Sequence, residues 1–407
     1  MTNCEIRRLL ATTLILIVVG TTAVANDIDE AETLMDEGWL DDAETILNNL
    51  AERNPDDAEY YYQLARVYLI RDDAQSANGG APWDNLNRIE QYAKKAIELD
   101  PNDARFYVVY GHGVGLKAMR GGTVKKFSRA RAAKSRYEQA AEMDPTNIEA
   151  RTSLIEYHMQ APGIAGGDKD EARRLAAVVA DLDSAAGFQA WKTIYLHEKN
   201  YDALEAAIRA VIQSQPEEKR GYVEFARLCQ RRQDIQCANE YLEIVLSLDP
   251  EDVQPYWYLS RNLADEGNEA EAENALMTAV KSNPEEGYVY RWVADFYRER
   301  DRWDDAIAWY QKCLEADPDY ARAWYLMGVT YLLSEKDLAR AKECLNTYLQ
   351  SRLKCWWPEP ALAHCQLAKI HTRNGDKKAA KREIKAARKL NPNNDEVRQT
   401  AKKLHIR

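Results

Sequence analysis

Along residues 287–318, GYVYRWVADFYRERDRWDDAIAWYQKCLEADP, apolar positions recur at three- and four-residue spacing. Tyr290, Val293, Ala294 and Tyr297 stripe one face of a predicted helix, and Ala306, Tyr310 and Cys313 stripe a second. A polar turn containing Asp301 separates the two, and Asp317 with Pro318 ends the pair because proline cannot continue a helix. The pattern then recurs. Pro216, Pro250, Pro284 and Pro318 are each 34 residues apart, as are Ala238, Ala272 and Ala306, and Tyr222, Tyr256 and Tyr290. A spacing kept over three periods predicts a chain of stacked helix pairs.

Weaker versions of the pair run from Asp27 to Pro55, Ala58 to Pro101, Ala104 to Pro145 and Ile148 to about Ser184. Regular ones occupy 185–216, 219–250, 253–284 and 287–318; a ninth begins at Ala321 and a tenth spans 361–392. Residues 395–407 read as a polar capping helix with Val397, Ala401 and Leu404 inward, since a last repeat has no neighbour to cover it. Antiparallel helix pairs at this period resemble the tetratricopeptide repeat. The resemblance implies an all-α, right-handed solenoid of about ten helix-turn-helix units, with N-terminal units over 27–184, regular units over 185–392 and the cap over 393–407. It also implies binding of another protein or peptide rather than catalysis.

Length suits that architecture: 407 residues exceed one compact core but not an array grown repeat by repeat. A net charge of −11 excludes general nucleic-acid binding, which needs a positive field along the contact surface. The charge is polarised. Residues 27–60 carry 13 acidic groups and one basic, whereas 366–407 carry 13 basic and 4 acidic. These are either two solvated ends or two ends that meet oppositely charged partners, a second copy of the chain included.

Residues 1–25 carry a different signal. Arg7 and Arg8 precede an apolar run from Leu9 to Val19, followed by Ala23-Val24-Ala25, the layout of a cleaved secretory signal peptide. The run is shorter than the ~20 residues a membrane span needs, and no second such segment follows. The mature protein is therefore expected to be exported, periplasmic or secreted, with no stable membrane span.

Three insertions lengthen the early units, around Asn78-Gly79-Gly80, Arg120-Gly121-Gly122 and Ala165-Gly166-Gly167. They read either as tolerated surface length or as a binding rim whose glycines let backbone amides approach a partner. Beyond the leader, an oxidising compartment favours pairing of cysteines. Cys229 and Cys237 face each other across one tight turn and are the expected bridge; one pair among Cys344, Cys355 and Cys365 could staple the irregular segment LKCWWPEP. Cys313 takes a small buried position and reads as a free thiol.

No catalytic pattern emerges. The stretch from Gly111 to Lys117, GHGVGLK, lacks the Gly-Lys-Ser/Thr spacing of a phosphate loop, and it falls inside a predicted helix. His364 and His371 share a helix face without a carboxylate to complete a metal set, and no Cys-x₂-Cys pair exists. The expectation is no enzyme, no cofactor and no metal.

In the family resembled, the first helix of each repeat lines the concave face. On those helices the register leaves Arg220, Arg227, Arg231, Trp257, Arg261, Arg291, Asp295, Arg298, Arg322 and Tyr325 unused by packing, with Tyr62 and Arg66 in the second unit. Arginine pairs bidentately with carboxylates, and Trp and Tyr give apolar contact at small entropic cost. These side chains either receive a partner or pair with neighbouring Asp and Glu. Arg66, Arg227 and Arg261 stand where the family's carboxylate clamp places asparagines, so that clamp is not reproduced. Two readings follow: an adaptor holding an acidic, extended protein segment, or a scaffold for anionic exopolysaccharide, with an accessory enzyme subunit as a third.

Overall fold

The computed structural model describes residues 27–77, 83–120, 122–358 and 360–406, so the expected leader and the insertion at Asn78–Gly80 lie outside the described residues. Every regular element described is helical, as the period predicted. The chain divides into two compact units.

The first unit runs to Asp183 and also contains Lys354–Trp357. Its helices are α1 (27–36), α2 (Leu40–Arg53), α3 (Ala58–Ala77), α4 (Trp83–Leu99), α5 (Ala104–Arg120), α6 (Thr123–Met143), α7 (Ile148–Gln160) and α8 (Lys169–Leu182). Alanine and leucine at the crossing faces bring neighbours together: Ala31, Ala43, Leu47 and Leu64 form one buried cluster, and Ala65, Ala93, Ala96 and Phe106 another. Gly111 lies inside α5, where a Cβ would stand 2.5 Å from the Tyr137 ring of α6. Its glycine serves a close helix crossing and not a phosphate.

The second unit comprises Ser184–Leu353 and Pro358–Arg407. It holds α9 (Ser184–Glu198), α10 (Tyr201–Ser214), α11 (Lys219–Arg231), α12 (Ile235–Leu248), α13 (Gln254–Asp265), α14 (Glu269–Ser282) and α15 (Gly287–Arg298). It continues with α16 (Trp303–Ala316), α17 (Arg322–Ser334), α18 (Leu338–Gln350), α19 (Pro360–Arg373), α20 (Lys377–Leu390) and α21 (Asp395–Lys403). In α21, Val397 and Ala401 are buried against Ala361, Cys365, Ile384 and Ala387, with Leu404 beside them, so the inward face is the one the pattern predicted.

The stripe on α15 is wider than its sequence suggested. Val289, Trp292 and Phe296 are buried along with Val293, Ala294 and Tyr297, while Tyr290 is half-buried, packs near Trp309 at 6.0 Å and donates its hydroxyl to Pro284 O at 3.0 Å. A first helix packs on the pair before it as well as on its own second helix, and two contact faces need two stripes.

Turns repeat as strictly as helices. Lys199, Gln233, Gly267, Asp301 and Glu335 all have φ between 55° and 85°, and they are spaced by one repeat. At the first four, the next amide reaches back to close the helix end: Asn200 N to Tyr195 O, Asp234 N to Cys229 O, Asn268 N to Leu263 O and Arg302 N to Tyr297 O, at 2.8–3.0 Å. The left-handed residue is thus set by the helix-pair geometry, with glycine in one place of five.

Cys229 and Cys237 are disulfide-bonded across the α11–α12 turn. The staple among Cys344, Cys355 and Cys365 does not form: all three are free, because they sit in different places. Cys344 is buried on α18, Cys365 is buried in the α19–α21 cluster, and Cys355 packs against the α1–α3 cluster of the first unit. Cys313 is free and buried, as its position implied.

The segment around Cys355 is seated on the α1–α2 turn. Cys355 N donates to Gly38 O at 2.9 Å, and Trp357 meets Trp39 edge to face at 5.9 Å. Lys354 Nζ lies 4.9 Å from the centre of the Trp39 ring. Gly38 has φ +84°, and a Cβ there would stand 2.3 Å from the Trp356 ring. Backbone and side chain both demand glycine at this position.

Candidate partner-binding surface

In the first unit, α3 presents Tyr62 and Arg66, α5 presents Arg105 and α7 presents Glu149; with Glu32 they line a cleft of about 420 Å³. Arg66 reaches Glu32 and the Gln63 side-chain carbonyl, each at 2.7 Å. Arg105 lies over the Tyr62 ring at 4.8 Å and pairs with Glu59 at 2.8 Å and Asp103 at 2.6 Å. Glu149 contacts His112 Nε2 at 3.3 Å, and that hydrogen bond, against the opposing effect of burial, holds its carboxyl below the usual range. The cleft therefore presents both signs of charge around aromatic surface. Arg105 is not among the sequence candidates, although it occupies the register position of Arg220 and Arg322; the insertions that lengthen the early units obscure that register.

In the second unit, Glu224 on α11 sits between Lys192 Nζ at 3.0 Å and Arg227 at 3.1 Å. Arg231 shares the cleft these residues line and makes no ion pair among the described residues. On α13 the exposed Arg261 lies 5.0 Å from the centre of the Trp257 ring, and Trp257 in turn lies 6.0 Å from Trp292. No carboxylate among the described residues pairs with Arg261.

Along α15, Arg291 and Arg298 both turn to Asp295, Arg298 at 3.4 Å. Arg291 Nε also donates to the Tyr320 hydroxyl at 3.1 Å. The alternative is thus realised in part: Arg66, Arg227, Arg291 and Arg298 pair with acidic residues, whereas Arg231, Arg261 and Arg322 form no ion pair among the described residues. Tyr325 departs from expectation. It is 9 % exposed and packs on Tyr348 at 5.4 Å, and burial pushes its hydroxyl pKa up to about 12, so it builds the core and cannot stack on a ligand. The sequence register placed it one residue too far from the packing face.

The third glycine insertion is a closed turn. Gly166 N donates to Gly163 O at 2.9 Å and Gly167 N to Pro162 O at 3.2 Å, while Arg131 holds Ile164 O at 2.7 Å. Its amides are used internally, so this loop does not offer them to a partner. Gly121 of the second insertion lies outside the described residues.

Family sequence models match parts of the chain at both ends. Those described as tetratricopeptide repeat cover 28–77, 321–355 and 361–394, and one described as TPR repeat covers 294–334. These stretches are tetratricopeptide repeats. Among curated relatives, human Protein IFIT1 homolog B is 26% identical over 166 residues, 39% of this chain and 34% of that protein. Tetratricopeptide repeat protein 37 of Xenopus laevis is 24% identical over 315 residues, 75% of this chain and 16% of that protein. The chain thus spans about a third of the length of the first of these relatives and less of the second. Among solved structures, yeast Tom70 aligns over 95% of each chain at 12% identity and TM-score 0.48. PilW, titled a type IV pilus biogenesis factor, aligns over 53% of this chain and 98% of its own at 18% identity and TM-score 0.41.

In this tetratricopeptide-repeat chain, no group of three or more His, Cys, Asp and Glu that could hold a metal occurs among the described residues. No described helix is long and apolar enough to cross a membrane.

Proposed function

We propose that this chain is a non-catalytic scaffold that holds an acidic, extended segment of a partner protein along the first helices of its repeats. The observation that carries the reading is Arg261, exposed on a first helix and 5.0 Å from the centre of the Trp257 ring, with no carboxylate paired to it among the described residues. An arginine on an aromatic face is already oriented, so a partner carboxylate gains its hydrogen bonds with little further ordering. The chain acts in the cell envelope, after export. The basic-apolar-small pattern of residues 1–25 supports that location, and so does a disulfide, which persists in oxidising compartments.

The test is affinity capture from envelope extracts of cells that make the protein, followed by binding measurements on the recovered partner. Replacing Arg231 and Arg261 together by Ala is expected to weaken binding at least about tenfold and to flatten its salt dependence. Unchanged affinity and salt slope would refute the groove, and capture of an anionic polysaccharide without a stoichiometric protein would favour the exopolysaccharide reading. N-terminal sequencing of the cellular protein checks export, with Asn26 expected as the first residue.

A further inference from the structure

The first unit carries a basic edge on an acidic chain. Over 117–136 there are eight Lys and Arg and no Asp or Glu, although the whole chain has a net charge of −11. Three of the eight are neutralised: Lys117 pairs with Glu90 at 3.2 Å, Arg120 with Asp72, and Lys134 with Glu138 at 3.4 Å. The other five, Lys125, Lys126, Arg129, Arg131 and Arg136, all lie on α6 and form no ion pair among the described residues. Two aliphatic side chains stand on the same edge. Met119, at the end of α5, and Ile164, in the α7–α8 turn, are 68 % and 77 % exposed, the two most exposed large apolar residues among those described. Hydrogen bonds from α6 hold both places to it. Arg129 donates to Lys117 O at 3.2 Å, two residues before Met119, and Arg131 donates to Ile164 O itself at 2.7 Å. Because the α5–α6 turn is short, Lys125 and Lys126 begin α6 at the end where Met119 closes α5. The acids of the α7–α8 turn are engaged: Asp168 caps α8, Asp170 pairs with Arg173 at 2.8 Å and Glu171 with Arg174 at 2.6 Å.

Exposed aliphatic residues scattered singly need no explanation. Here two of them flank a basic helix whose cations lack partners, and that combination fits one kind of surface. Anionic headgroups attract the cations, and aliphatic tips gain by entering the acyl boundary just beneath. A dissolved polyanion would match the charge but gives Met119 and Ile164 nothing to enter. We propose that this edge docks the chain on an anionic phospholipid bilayer, with Lys125 and Lys126 at the headgroups and Met119 and Ile164 inserted between them. Neither signal alone anchors strongly, and the two together give a reversible attachment. Lys125 and Lys126 belong to a second helix and Ile164 to a turn, so the inference does not rest on the groove proposed above. Helix α20 also exposes cations, Lys377 and Lys378 among them, but its one exposed large apolar residue is Leu390, and it serves as a control.

Flotation with unilamellar vesicles tests the proposal. The chain from Asn26 onward keeps every described residue and removes the apolar run at 9–19, which could insert by itself. Binding is expected to vesicles of phosphatidylcholine with phosphatidylglycerol, not to phosphatidylcholine alone, and it should fall as salt rises. Lys125→Gln with Lys126→Gln should weaken it about tenfold. Met119→Ser with Ile164→Ser should weaken it at least about threefold with the salt slope unchanged, because the charges remain, whereas Met119→Leu with Ile164→Leu should retain it. Lys377→Gln with Lys378→Gln, an equal change in charge on α20, should leave binding intact. All of these side chains are exposed, so the variants should melt with the parent. No flotation with the anionic vesicles, equal loss in the α20 variant, or full binding by the Met119/Ile164 serine variant would each overturn the proposal. So would a preference for alginate over the vesicles, an outcome that would give this edge to an anionic polysaccharide.

Discussion

His158 shows how much one buried residue can say about conditions. It is 5 % exposed on α7, and its Nδ1 has no partner among the described residues. Burial first, and the Lys134 ammonium second, hold the imidazole below its ordinary pKa. The folded chain therefore keeps the ring neutral while the unfolded chain takes up a proton as pH falls below about 6.5. The stability this difference contributes is present above that pH and is lost as pH falls toward the lowered folded value, at no more than about 1.4 kcal/mol per pH unit. His158→Leu should remove this slope, read as the urea midpoint at pH 7.5 and 5.5; an identical acid loss in both chains would show that other groups titrate. The thiols carry the opposite sign. Burial pushes Cys313 and Cys344 to about 12 and Cys365 to about 11, so their contribution holds below the ordinary thiol pKa and fades as pH rises toward those values. At the residue scale the sequence could name arginines and tyrosines on the right helices. It could not say that Tyr325 is buried while Arg322, three residues earlier, has an Nε without an acceptor. That difference depends on which neighbour fills the space.

The helix pair was the most legible element because its determinants are local. Proline at each end, alanine at the crossings and the three-to-four spacing identify the pairs without knowledge of any contact. The turn between paired helices was legible in place but not in conformation. Lys199, Gln233, Asp301 and Glu335 adopt a left-handed backbone that their side chains disfavour. The shared geometry of consecutive pairs requires it. Asp301→Gly is therefore expected to stabilise the second unit, by roughly 0.5–1 kcal/mol once glycine's greater unfolded-state freedom is subtracted. Chemical denaturation would measure it. Gly267→Ala should cost a similar amount, since the same turn there already has glycine at φ 85°. Loss of stability in the Asp301 variant would mean that its side chain, and not the turn, governs that position.

The 354–357 segment belongs to the scale of the whole molecule. It is recruited into the first unit although it follows α18 in sequence. Trp357 is 3 % exposed against Trp39, and the Gly38 backbone is shaped around Trp356. Trp357→Ala should cost about 3–5 kcal/mol if the cavity stays open. Hydrogen exchange should quicken in α1 and α2, with α11–α14 unchanged. Uniform quickening across all helices would contradict a local role for this segment. Contacts within the repeats run between neighbours in sequence, so an array's stability is mostly a sum of adjacent terms. A segment that packs with helices about 300 residues away in sequence lies outside that rule. The sequence by itself determined the helical class, the repeat period, the pairing of Cys229 with Cys237 and the inward face of α21, because each follows from residues close in the chain. Only the tertiary structure decided that Cys344, Cys355 and Cys365 stay free, that Tyr325 is core, that Arg291 and Arg298 share one carboxylate, and that Gly38 must accommodate Trp356. Each of those depends on side chains brought together by packing, which local periodicity does not encode.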